Sequence, residues 1–441
     1  MEQCIRQPPV GGAVCILHNA LGGYRVFPNS SKIRNDVTAV WLRCSVQQRQ
    51  FSFMSLGETT TQSLVMVITE LDFGGAERAF VRTATGLRAF GWSVTVVSLR
   101  DEGPLAKELQ AAGIAVTALN GTGLPGAIGS LWKLHRLLRQ LRPAAVLSFL
   151  HQANLLSRLA AVGTGCRCVV SGIRVADRRL FITVPEWLTQ KLVTHYVAVS
   201  EFTADVHARC CGIVRSRIST IRNGVDRHGD VAPADRASLG LTADDFVILF
   251  AGRLCAQKSP ETLLYALGRL QASHPETAAR IQLLLAGDGP LAGKLKLLAE
   301  TLGLADRVSL MGWRSDLPQL MKTADLLVLP SRWEGLPNVI LEAQASGLPV
   351  IASRVDGIPE LITDRATGLL FPAGDCTRLE QLLESAVRQP QQLAAMAVAA
   401  RAQAEQMFSW DNVSTRYDAL LRALVAGRAS SQSSVFEPDN T

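Results

Sequence analysis

The chain is short of the features that mark membrane-spanning, secreted or disordered proteins. No apolar run reaches the length of about 18 residues that a spanning helix needs. The first thirty residues lack the ordered basic, apolar and cleavage regions of a signal peptide. Charged residues make up only 19% of the 441 residues, whereas hydrophobic residues make up 48%, a balance that excludes global disorder. The length and this apolar content predict two folded domains, each with a sizeable core.

Neither the cysteines nor the net charge indicates a metal or nucleic-acid protein. The nine cysteines are odd in number and match no zinc-site spacing, which favours reduced thiols in a cytosolic protein. The net charge of +7 is compatible with an anionic nucleotide, a phospholipid surface or a lipid diphosphate. It does not by itself indicate nucleic acid.

From Ser63 onwards, apolar runs of five to seven residues alternate with helical patterns. Such runs are typical of buried parallel strands, and right-handed crossovers then give a doubly wound α/β sheet. The pattern is interrupted at residues 226–245 and begins again at strand Phe246–Ala251. Two tandem α/β sheets place the carboxyl ends of their strands across a cleft, where ligands bind in such folds.

The stretch from Ser331 to Glu342 is the most informative in the chain. A strand, Asp325 to Leu329, leads into a loop that carries Glu334, and a helix over 337–346 carries Glu342. The spacing lets both carboxylates face one cleft, where they can accept hydrogen bonds from sugar and ribose hydroxyls. Free N–H groups at the start of the helix suit an anionic diphosphate.

Further polar residues and glycines follow other predicted strands. Arg253 and Lys258 follow the strand that ends at Ala251, where two cations can neutralise a leaving diphosphate. Other candidates at strand ends are the glycines of two tight turns, a histidine and an arginine: Gly74, Gly75, Gly287, Gly289, His151 and Arg174. Glycine lets backbone approach a phosphate closely, and Arg174 is a candidate contact for an anionic acceptor.

Several short motifs together resemble the retaining glycosyltransferases called family 4, or group 1. They are the E-x7-E pair, G-R-L-x-x-x-K, G-D-G-P, G-G-A-E and D-G-I-P-E, and they span about residues 63–425. Ser259 departs from the glycine that the family often has after the lysine. The resemblance implies a GT-B fold of two Rossmann-like domains. It also implies contacts of Trp313 and Arg314 with the nucleotide base, although a purely structural role of Trp313 fits equally. The R-N-G-V-D segment at 222–226 would have a structural role.

The resemblance assigns roles to the candidate residues. Glu334, His151, Arg253 and Lys258 would be catalytic, with Glu334 on the donor sugar and His151 near it. The implied donor-binding set is Arg253, Lys258, Gly287, Gly289, Glu334, Gly335, Leu336, Pro337, Asn338, Val339 and Glu342. Gly74, Gly75 and Arg174 would form the acceptor and phosphate loop. The departing phosphate oxygen would take the proton of the acceptor.

The predicted division of the chain combines the pattern with the family's architecture. Residues 1–61 would be a poorly ordered extension, and translation starting at Met54 is an alternative. Residues 62–228 would form the acceptor domain, 229–245 a linker, and 246–408 the nucleotide-sugar domain. Residues 409–427 would form a helix that returns to the first domain, and 428–441 a disordered tail.

The predicted reaction transfers a hexose or N-acetylhexosamine from a nucleotide-diphosphate sugar, with UDP favoured, to a glycan or lipid-linked glycan of a bacterial cell surface. No Asp-x-Asp pair occurs, so the predicted site holds no metal, and the nucleotide-sugar is a co-substrate rather than a cofactor. Two alternatives stay open: a non-catalytic subunit that binds a nucleotide or glycan, and a GT-B sugar epimerase.

The predicted location is cytoplasmic, with peripheral attachment to an inner membrane as an open alternative. A predicted helix over Leu131–Leu141 carries Lys133, Arg136 and Arg139, with Arg142 just beyond it. This pattern fits an ordinary amphipathic helix with its basic face in water. It equally fits a helix that docks on anionic lipid and brings the cleft to a lipid-linked acceptor.

Overall fold

The computed structural model describes residues 62–226 and 231–433, together with two short strands near the N-terminus. These strands, β1 (Cys15–His18) and β2 (Tyr24–Phe27), pair antiparallel. The sequence analysis did not predict them, because strands of four residues are too short to show a periodicity. Apart from this hairpin, the predicted N-terminal extension, including Met54, lies outside the described residues.

Seven parallel strands form the first sheet, in the order β5-β4-β3-β6-β7-β8-β9. Their bounds are β3 (Ser63–Ile68), β4 (Ser93–Ser98), β5 (Ala115–Ala118), β6 (Ala145–Phe149), β7 (Val169–Ile173), β8 (His195–Ala198) and β9 (Ile218–Thr220). The strands β3 and β6 at its centre are almost wholly buried, as continuous apolar runs predict.

Six parallel strands form the second sheet, in the order β12-β11-β10-β13-β14-β15. Their bounds are β10 (Phe246–Ala251), β11 (Ile281–Ala286), β12 (Val308–Gly312), β13 (Leu326–Leu329), β14 (Val350–Ser353) and β15 (Leu369–Phe371). The three residues of β15 were not predicted as a strand. Together the two sheets confirm the predicted α/β class with two doubly wound layers.

Helices connect the strands on both faces of each sheet. In the first half they are α1 (Gly75–Ala89), α2 (Ala106–Ala111), α3 (Gly123–Leu141), α4 (His151–Ala160), α5 (Leu180–Thr189) and α6 (Glu201–Cys211). In the second half they are α7 (Pro260–Ser273), α8 (Pro275–Ala279), α9 (Ala292–Thr301), α10 (Leu317–Thr323), α11 (Asn338–Ser346), α12 (Cys376–Arg388), α13 (Pro390–Met407) and α14 (Trp410–Ser433). None of these helices combines the length and hydropathy needed to cross a bilayer.

Three helical predictions had wrong bounds. The sequence pattern also predicts a helix over 185–194, whereas α5 begins at Leu180 and keeps Pro185 inside it. Proline is favoured at the first helical position, where its missing N–H costs least. The helix predicted over Leu131–Leu141 is α3, which already begins at Gly123. The helical region predicted over 375–407 is confirmed, and it consists of two helices that meet at Gln389, just before Pro390. The last helix continues to Ser433, beyond the expected end at 427, and the rest of the predicted tail lies outside the described residues.

The last helix, α14, packs against α1 on the first sheet. Trp92 donates a hydrogen bond from Nε1 to Asp418 over 2.7 Å, and Tyr417 lies fully buried in the core of that sheet. A side chain at Gly86 would collide with Ser414, so glycine is what lets the two helices approach so closely. The domain boundaries at 228, 245 and 408 stay predictions.

Candidate active site

Both sheets reverse their strand order at one point, and the candidate residues follow the strands on either side of these points. In the first sheet the reversal lies between β3 and β6, which are followed by Gly74, Gly75 and His151. In the second it lies between β10 and β13, which are followed by the loops of Lys258 and Glu334. Diverging connections open a crevice at such a point, where ligands of doubly wound folds bind.

Lys258 and Glu334 form an ion pair across the crevice of the second sheet. Lys258 Nζ lies 2.5 Å from Glu334 Oε1, and Ser331 Oγ donates to the same oxygen over 2.7 Å. Only 5% of Glu334 is exposed, so its carboxylate depends on these donors. The sequence placed both residues in one site but did not predict that they bond each other.

Asp356 fixes the backbone of the Glu334 loop. Its Oδ2 accepts a hydrogen bond from the N–H of Glu334 over 2.7 Å. Burial raises the pKa of Asp356, and this bond and the charge of Arg178 oppose the rise. Asp356 has φ 46°, a left-handed conformation that Asp and Asn adopt more readily than most residues. It was quoted only as part of a motif, so its contact with Glu334 was missed.

Helix α11 begins directly after this loop. No side chain caps its N-terminus, so its first N–H groups remain available to an anion. Glu342 lies half-buried about one turn into the helix. Burial raises its pKa, the charge of Arg78 opposes that rise, and Asp226 adds to it. The structure thus brings Glu334, Gly335, Leu336, Pro337, Asn338, Val339 and Glu342 together along one edge of the crevice.

Arg253 and the predicted donor-loop glycines occupy adjoining loops. The side chain of Arg253 is exposed and makes no hydrogen bond or ion pair with any residue that the structure describes. A Cβ on Gly287 would lie 2.0 Å from the carbonyl oxygen of Gly252, and one on Gly289 would lie 2.4 Å from that of Leu254. These two glycines therefore hold the loop of Arg253 against β11.

The two halves of the cleft touch at the candidate residues themselves. Asn338 donates from Nδ2 to the carbonyl oxygen of Gly75 over 2.9 Å and accepts a hydrogen bond from Asn223. A Cβ on Gly335 would lie 2.1 Å from the carbonyl oxygen of Arg174. Glycine at 75 and 335 therefore lets backbone from the first half meet the Glu334 loop and the start of α11.

Arg174 lines the cavity between the two halves, but neighbouring side chains hold its guanidinium. Its guanidinium donates to Asn223, lies 4.6 Å from the ring centroid of Phe149, and is buried. Burial lowers its pKa, and the nearby carboxylate of Glu77 opposes this. These contacts make Arg174 a support for the cleft floor, and its contact with an acceptor stays a prediction.

His151 begins α4 and lines a cavity of about 760 Å³ between the two halves. Burial lowers the pKa of His151, so its imidazole is neutral at neutral pH. The preceding Leu150 has φ 74°, which is strained for a bulky residue and turns the chain abruptly into α4. The cavity also reaches Trp333 and Asp356 on the second half, next to the Glu334 loop.

Sequence reasoning missed the acidic and basic groups that form the cavity floor. Glu186 of α5 pairs with the buried Arg158 over 2.7 Å, and His207 of α6 lies beside them with its pKa lowered by burial. Asp177 and Arg179 pair at the rim. No sequence signal linked them, because they come from three separate connections that only the fold assembles.

A second missed group joins the halves beside the cleft. The carboxylate of Glu360 accepts from the N–H of Glu201 over 3.1 Å and of Phe202 over 3.0 Å, at the start of α6. It also pairs with Arg222 over 2.7 Å. Arg222 thus helps to hold Glu360 at the start of α6, which agrees with the structural role expected for the segment at 222–226.

Two predicted base contacts lie at the outer rim. The rings of Trp313 and Phe73 lie 5.2 Å apart between centroids, and both are about half exposed. Arg314 pairs with Asp316 through two nitrogens. Among the residues that the structure describes, no group of three or more His, Cys, Asp and Glu side chains is arranged to hold a metal ion.

Comparisons with known proteins show which family this chain resembles. Residues 73–228 match the model of Glycosyltransferase Family 4, and residues 231–403 match that of Glycosyl transferases group 1. An Escherichia coli UDP-Gal:alpha-D-GlcNAc-diphosphoundecaprenol alpha-1,3-galactosyltransferase is 31% identical over 63% of this chain and 75% of its own length. A D-inositol 3-phosphate glycosyltransferase of Streptomyces scabiei is 35% identical, but the match covers about half of each protein, 54% of this chain and 52% of the relative.

The fold comparison agrees with the sequence matches. The crystal structure of Anabaena HepE in complex with UDP and glucose superposes with a TM-score of 0.72 at 22% identity, over 82% of this chain and all of that one. A glycosyltransferase from Rickettsia africae gives the same TM-score at 19% identity. With two doubly wound sheets and a relative matched over most of its length, the chain belongs to the group 1 glycosyltransferases and has the GT-B fold predicted from its sequence.

Proposed function

We propose that this protein is a retaining, metal-independent glycosyltransferase that moves a hexose or N-acetylhexosamine from a UDP-sugar to a glycan or lipid-linked glycan. The observation that carries the proposal is the pairing of Lys258 with Glu334 at the switch point of the second sheet. In this pair Lys258 is the cation for the leaving diphosphate and Glu334 the carboxylate for the donor sugar, and the two are in direct hydrogen-bond contact.

The donor binds along the second half of the cleft. Lys258 and Arg253 neutralise the diphosphate as charge develops on it, and the N–H groups that begin α11 add partial positive charge. Glu342 accepts the ribose hydroxyls. Glu334 accepts hydroxyls of the donor sugar once Lys258 turns towards the phosphates, so its buried carboxylate stays paired throughout.

The acceptor occupies the cavity between the halves. His151 lines this cavity close to the Glu334 loop and is neutral, so its imidazole can accept a hydrogen bond from a hydroxyl. The E. coli relative acts, by its name, on a sugar linked to a lipid diphosphate. That similarity supports a lipid-linked acceptor here, and with it a cytoplasmic protein that works peripherally at a membrane surface.

The decisive experiment is a transfer assay on a panel of nucleotide-sugars and acceptors. Purified protein is first screened for thermal stabilisation by each nucleotide-sugar. A ligand at a hundred times its dissociation constant stabilises the fold by about 2.7 kcal/mol. Release of nucleotide is then measured with water alone and with each acceptor, and NMR of the product gives its anomeric configuration. Inversion of that configuration contradicts the retaining mechanism.

The same assay separates the alternatives. A non-catalytic subunit binds a nucleotide-sugar but releases no nucleotide with any acceptor or water. An epimerase releases free sugar or an epimer without an acceptor. We expect activity to survive EDTA, since cationic side chains and a helix N-terminus serve the diphosphate. Complete loss that manganese or magnesium restores contradicts the metal-free part of the proposal.

A further inference from the structure

The two sides of helix α5 have different surroundings. Ile182 and Glu186, one turn apart, line the cavity between the two halves. The other side of the helix carries large apolar side chains that remain exposed, although the guanidinium of Arg179 lies 4.7 Å from the ring centroid of Phe181. They are 46–76% exposed, and they are Leu180, Phe181, Val184, Trp187 and Leu188. One helix therefore forms both a wall of the proposed acceptor cavity and an apolar surface outside it.

This apolar surface is continuous rather than scattered. Leu180, Val184 and Leu188 follow each other at intervals of four residues, so they lie in one row along the helix. Phe181 and Trp187 flank this row. Single exposed apolar residues are ordinary, whereas a contiguous row on one helix marks a surface that meets an apolar environment. We call these five residues the α5 ridge.

Positive charge surrounds the α5 ridge. Arg178 and Arg179 precede the helix, Lys191 follows it, and all three are exposed. Between residues 121 and 200 the sequence has ten Lys and Arg against two Asp and Glu, a net charge of +8, which exceeds the +7 of the whole chain. Both acids are already paired, Asp177 with Arg179 and Glu186 with Arg158.

Helix α3 extends this basic surface on the same side of the sheet. It packs on α4, which in turn packs on α5. Arg136, Arg139 and Arg142 are exposed there, and Trp132 is 63% exposed with the guanidinium of Arg136 5.8 Å from its ring centroid. The basic residues singled out in the sequence therefore belong to a larger surface whose apolar part is the α5 ridge.

We propose that the α5 ridge docks on an anionic lipid bilayer, with its side chains at the boundary between headgroups and acyl chains. An apolar row edged by cations is the pattern of helices that lie in a membrane interface. Each Lys or Arg held near an anionic leaflet adds favourable binding free energy. The proposal rests on the lipid-linked acceptor proposed above, because docking through α5 holds the mouth of the cavity at the membrane surface.

The charge argues against a second copy of the chain as the occupant. A symmetric dimer through the α5 ridge would bring two surfaces of strong positive charge face to face, which repels. A bilayer rich in phosphatidylglycerol supplies the opposite charge and the apolar layer together. The sequence pattern alone placed docking on the basic face of α3, whereas the exposed apolar row lies on α5.

The test measures binding to vesicles by sedimentation, with the full chain and no donor or acceptor. Vesicles of phosphatidylcholine alone are compared with vesicles that contain phosphatidylglycerol, each at low and high salt. The ridge variant carries Leu180→Ser, Phe181→Ser and Leu188→Ser. Its matched control carries Leu297→Ser, Val398→Ser and Met407→Ser, three apolar residues of the second half that are 57–72% exposed. A third variant carries Arg136→Gln, Arg139→Gln and Arg142→Gln.

We expect wild type to bind the anionic vesicles, more strongly at low salt, and the ridge variant to bind at least about tenfold more weakly. The control variant should bind as wild type does, and the arginine variant should lose mainly the salt-dependent part. Brominated acyl chains should quench wild-type tryptophan fluorescence, and Trp187→Phe should remove most of that quenching.

Equal binding by the ridge variant and wild type overturns the proposal, as does a wild type that binds no anionic vesicle. If wild type binds no vesicles but forms a dimer that the ridge substitutions dissociate, the α5 ridge is an interface between two copies of the chain instead. Nucleotide release with a short water-soluble acceptor is measured on the same variants. If wild type transfers sugar to this acceptor but does not bind vesicles, the docking proposal is wrong and the proposed function stands. If wild type binds vesicles but transfers no sugar, the docking proposal stands and the proposed function is wrong.

Discussion

Lys258 and Glu334 neutralise each other at the switch point of the second sheet, with Nζ 2.5 Å from Oε1. The two residues lie on different loops, one after β10 and one after β13. A diphosphate that draws Lys258 away must leave Glu334 with new hydrogen-bond donors, which the hydroxyls of a bound sugar can provide. A nucleoside diphosphate without a sugar cannot, so we expect the pair to favour binding of the intact donor over binding of the product.

The first prediction compares the two cations of the proposed diphosphate site. Lys258→Ala and Arg253→Ala should each lower turnover by about 10²-fold or more, the scale of a lost transition-state contact. Only Lys258→Ala should also lower the melting temperature, because it leaves the buried carboxylate of Glu334 without its cation. Steady-state kinetics and thermal unfolding of both variants check this.

Arg253→Ala serves as the control within that comparison, because Arg253 is exposed and pairs with no described residue. Near-normal turnover in either variant would remove that residue from the site. An unchanged melting temperature in Lys258→Ala would mean that Glu334 does not depend on the pair.

The second prediction concerns Glu342 and pH. Burial raises the pKa of Glu342 in the folded protein above its ordinary value of 4.5. The folded state therefore binds this proton more tightly than the unfolded state does, and stability falls as pH rises from about 4.5 through the folded pKa. Glu342→Gln should remove this loss of stability at higher pH. Without ligand, the variant should therefore have a melting temperature at least as high as that of wild type at pH 7.5.

The same substitution should weaken donor binding, because an amide accepts fewer hydroxyls than a carboxylate. We therefore expect a higher KM for the UDP-sugar together with an equal or higher melting temperature. Glu300→Gln, on an exposed position of α9, is the control and should change neither. A lower melting temperature in Glu342→Gln at neutral pH would show that the carboxylate stabilises the empty site.

The strands were predictable because their side chains are buried on both faces. Continuous apolar runs such as Phe246–Ala251 leave little choice of structure, and glycines and charges mark where each run ends. The candidate site followed from these ends, because parallel strands bring their following loops to one edge. Glu334 and Lys258 could therefore be assigned to one cleft, although 76 residues separate them in the chain.

The contacts between the halves were not predictable, because they depend on how one folded unit rests on the other. Glu360 meets the start of α6 from 159 residues away, and nothing in the sequence near either indicates it. Arg174 looked like a free cation at a strand end, whereas Asn223 and Phe149 enclose it. The start of α5 was predicted wrongly because Pro185 indicated a first helical position, although the apolar residues before it already belong to the helix.

The third prediction concerns Asp356, whose contact holds the loop of Glu334. Asp356→Asn keeps an oxygen that can accept the N–H of Glu334 and a residue that tolerates φ 46°. Asp356→Ala keeps neither. We expect kcat/KM within a few-fold of wild type for the asparagine variant and a fall of about 10- to 100-fold for alanine, the cost of a misplaced catalytic group. Equal loss in both variants would mean that the charge of Asp356, rather than its positioning of the loop, is what matters.

The last prediction concerns the cap that Glu360 places on α6 from the other half of the cleft. Glu360→Ala removes a charge-assisted hydrogen bond to Arg222 and leaves the first N–H groups of α6 without their acceptor. The lost bonds are worth about 1–3 kcal/mol, since Glu360 is largely shielded from water. Because the contact joins the two halves, its loss should also let the cleft open.

Small-angle scattering of the free protein should therefore show a larger radius of gyration for Glu360→Ala, and the KM for the acceptor should rise more than kcat falls. The matched control is Glu384→Ala, which breaks ion pairs with His274 and Arg388 inside the second half. It should change neither the radius of gyration nor the KM. Donor binding should close the variant again, because Asn338, Gly75 and Asn223 still join the halves. A Glu360→Ala protein with wild-type dimensions and wild-type KM would show that closure depends on those contacts alone.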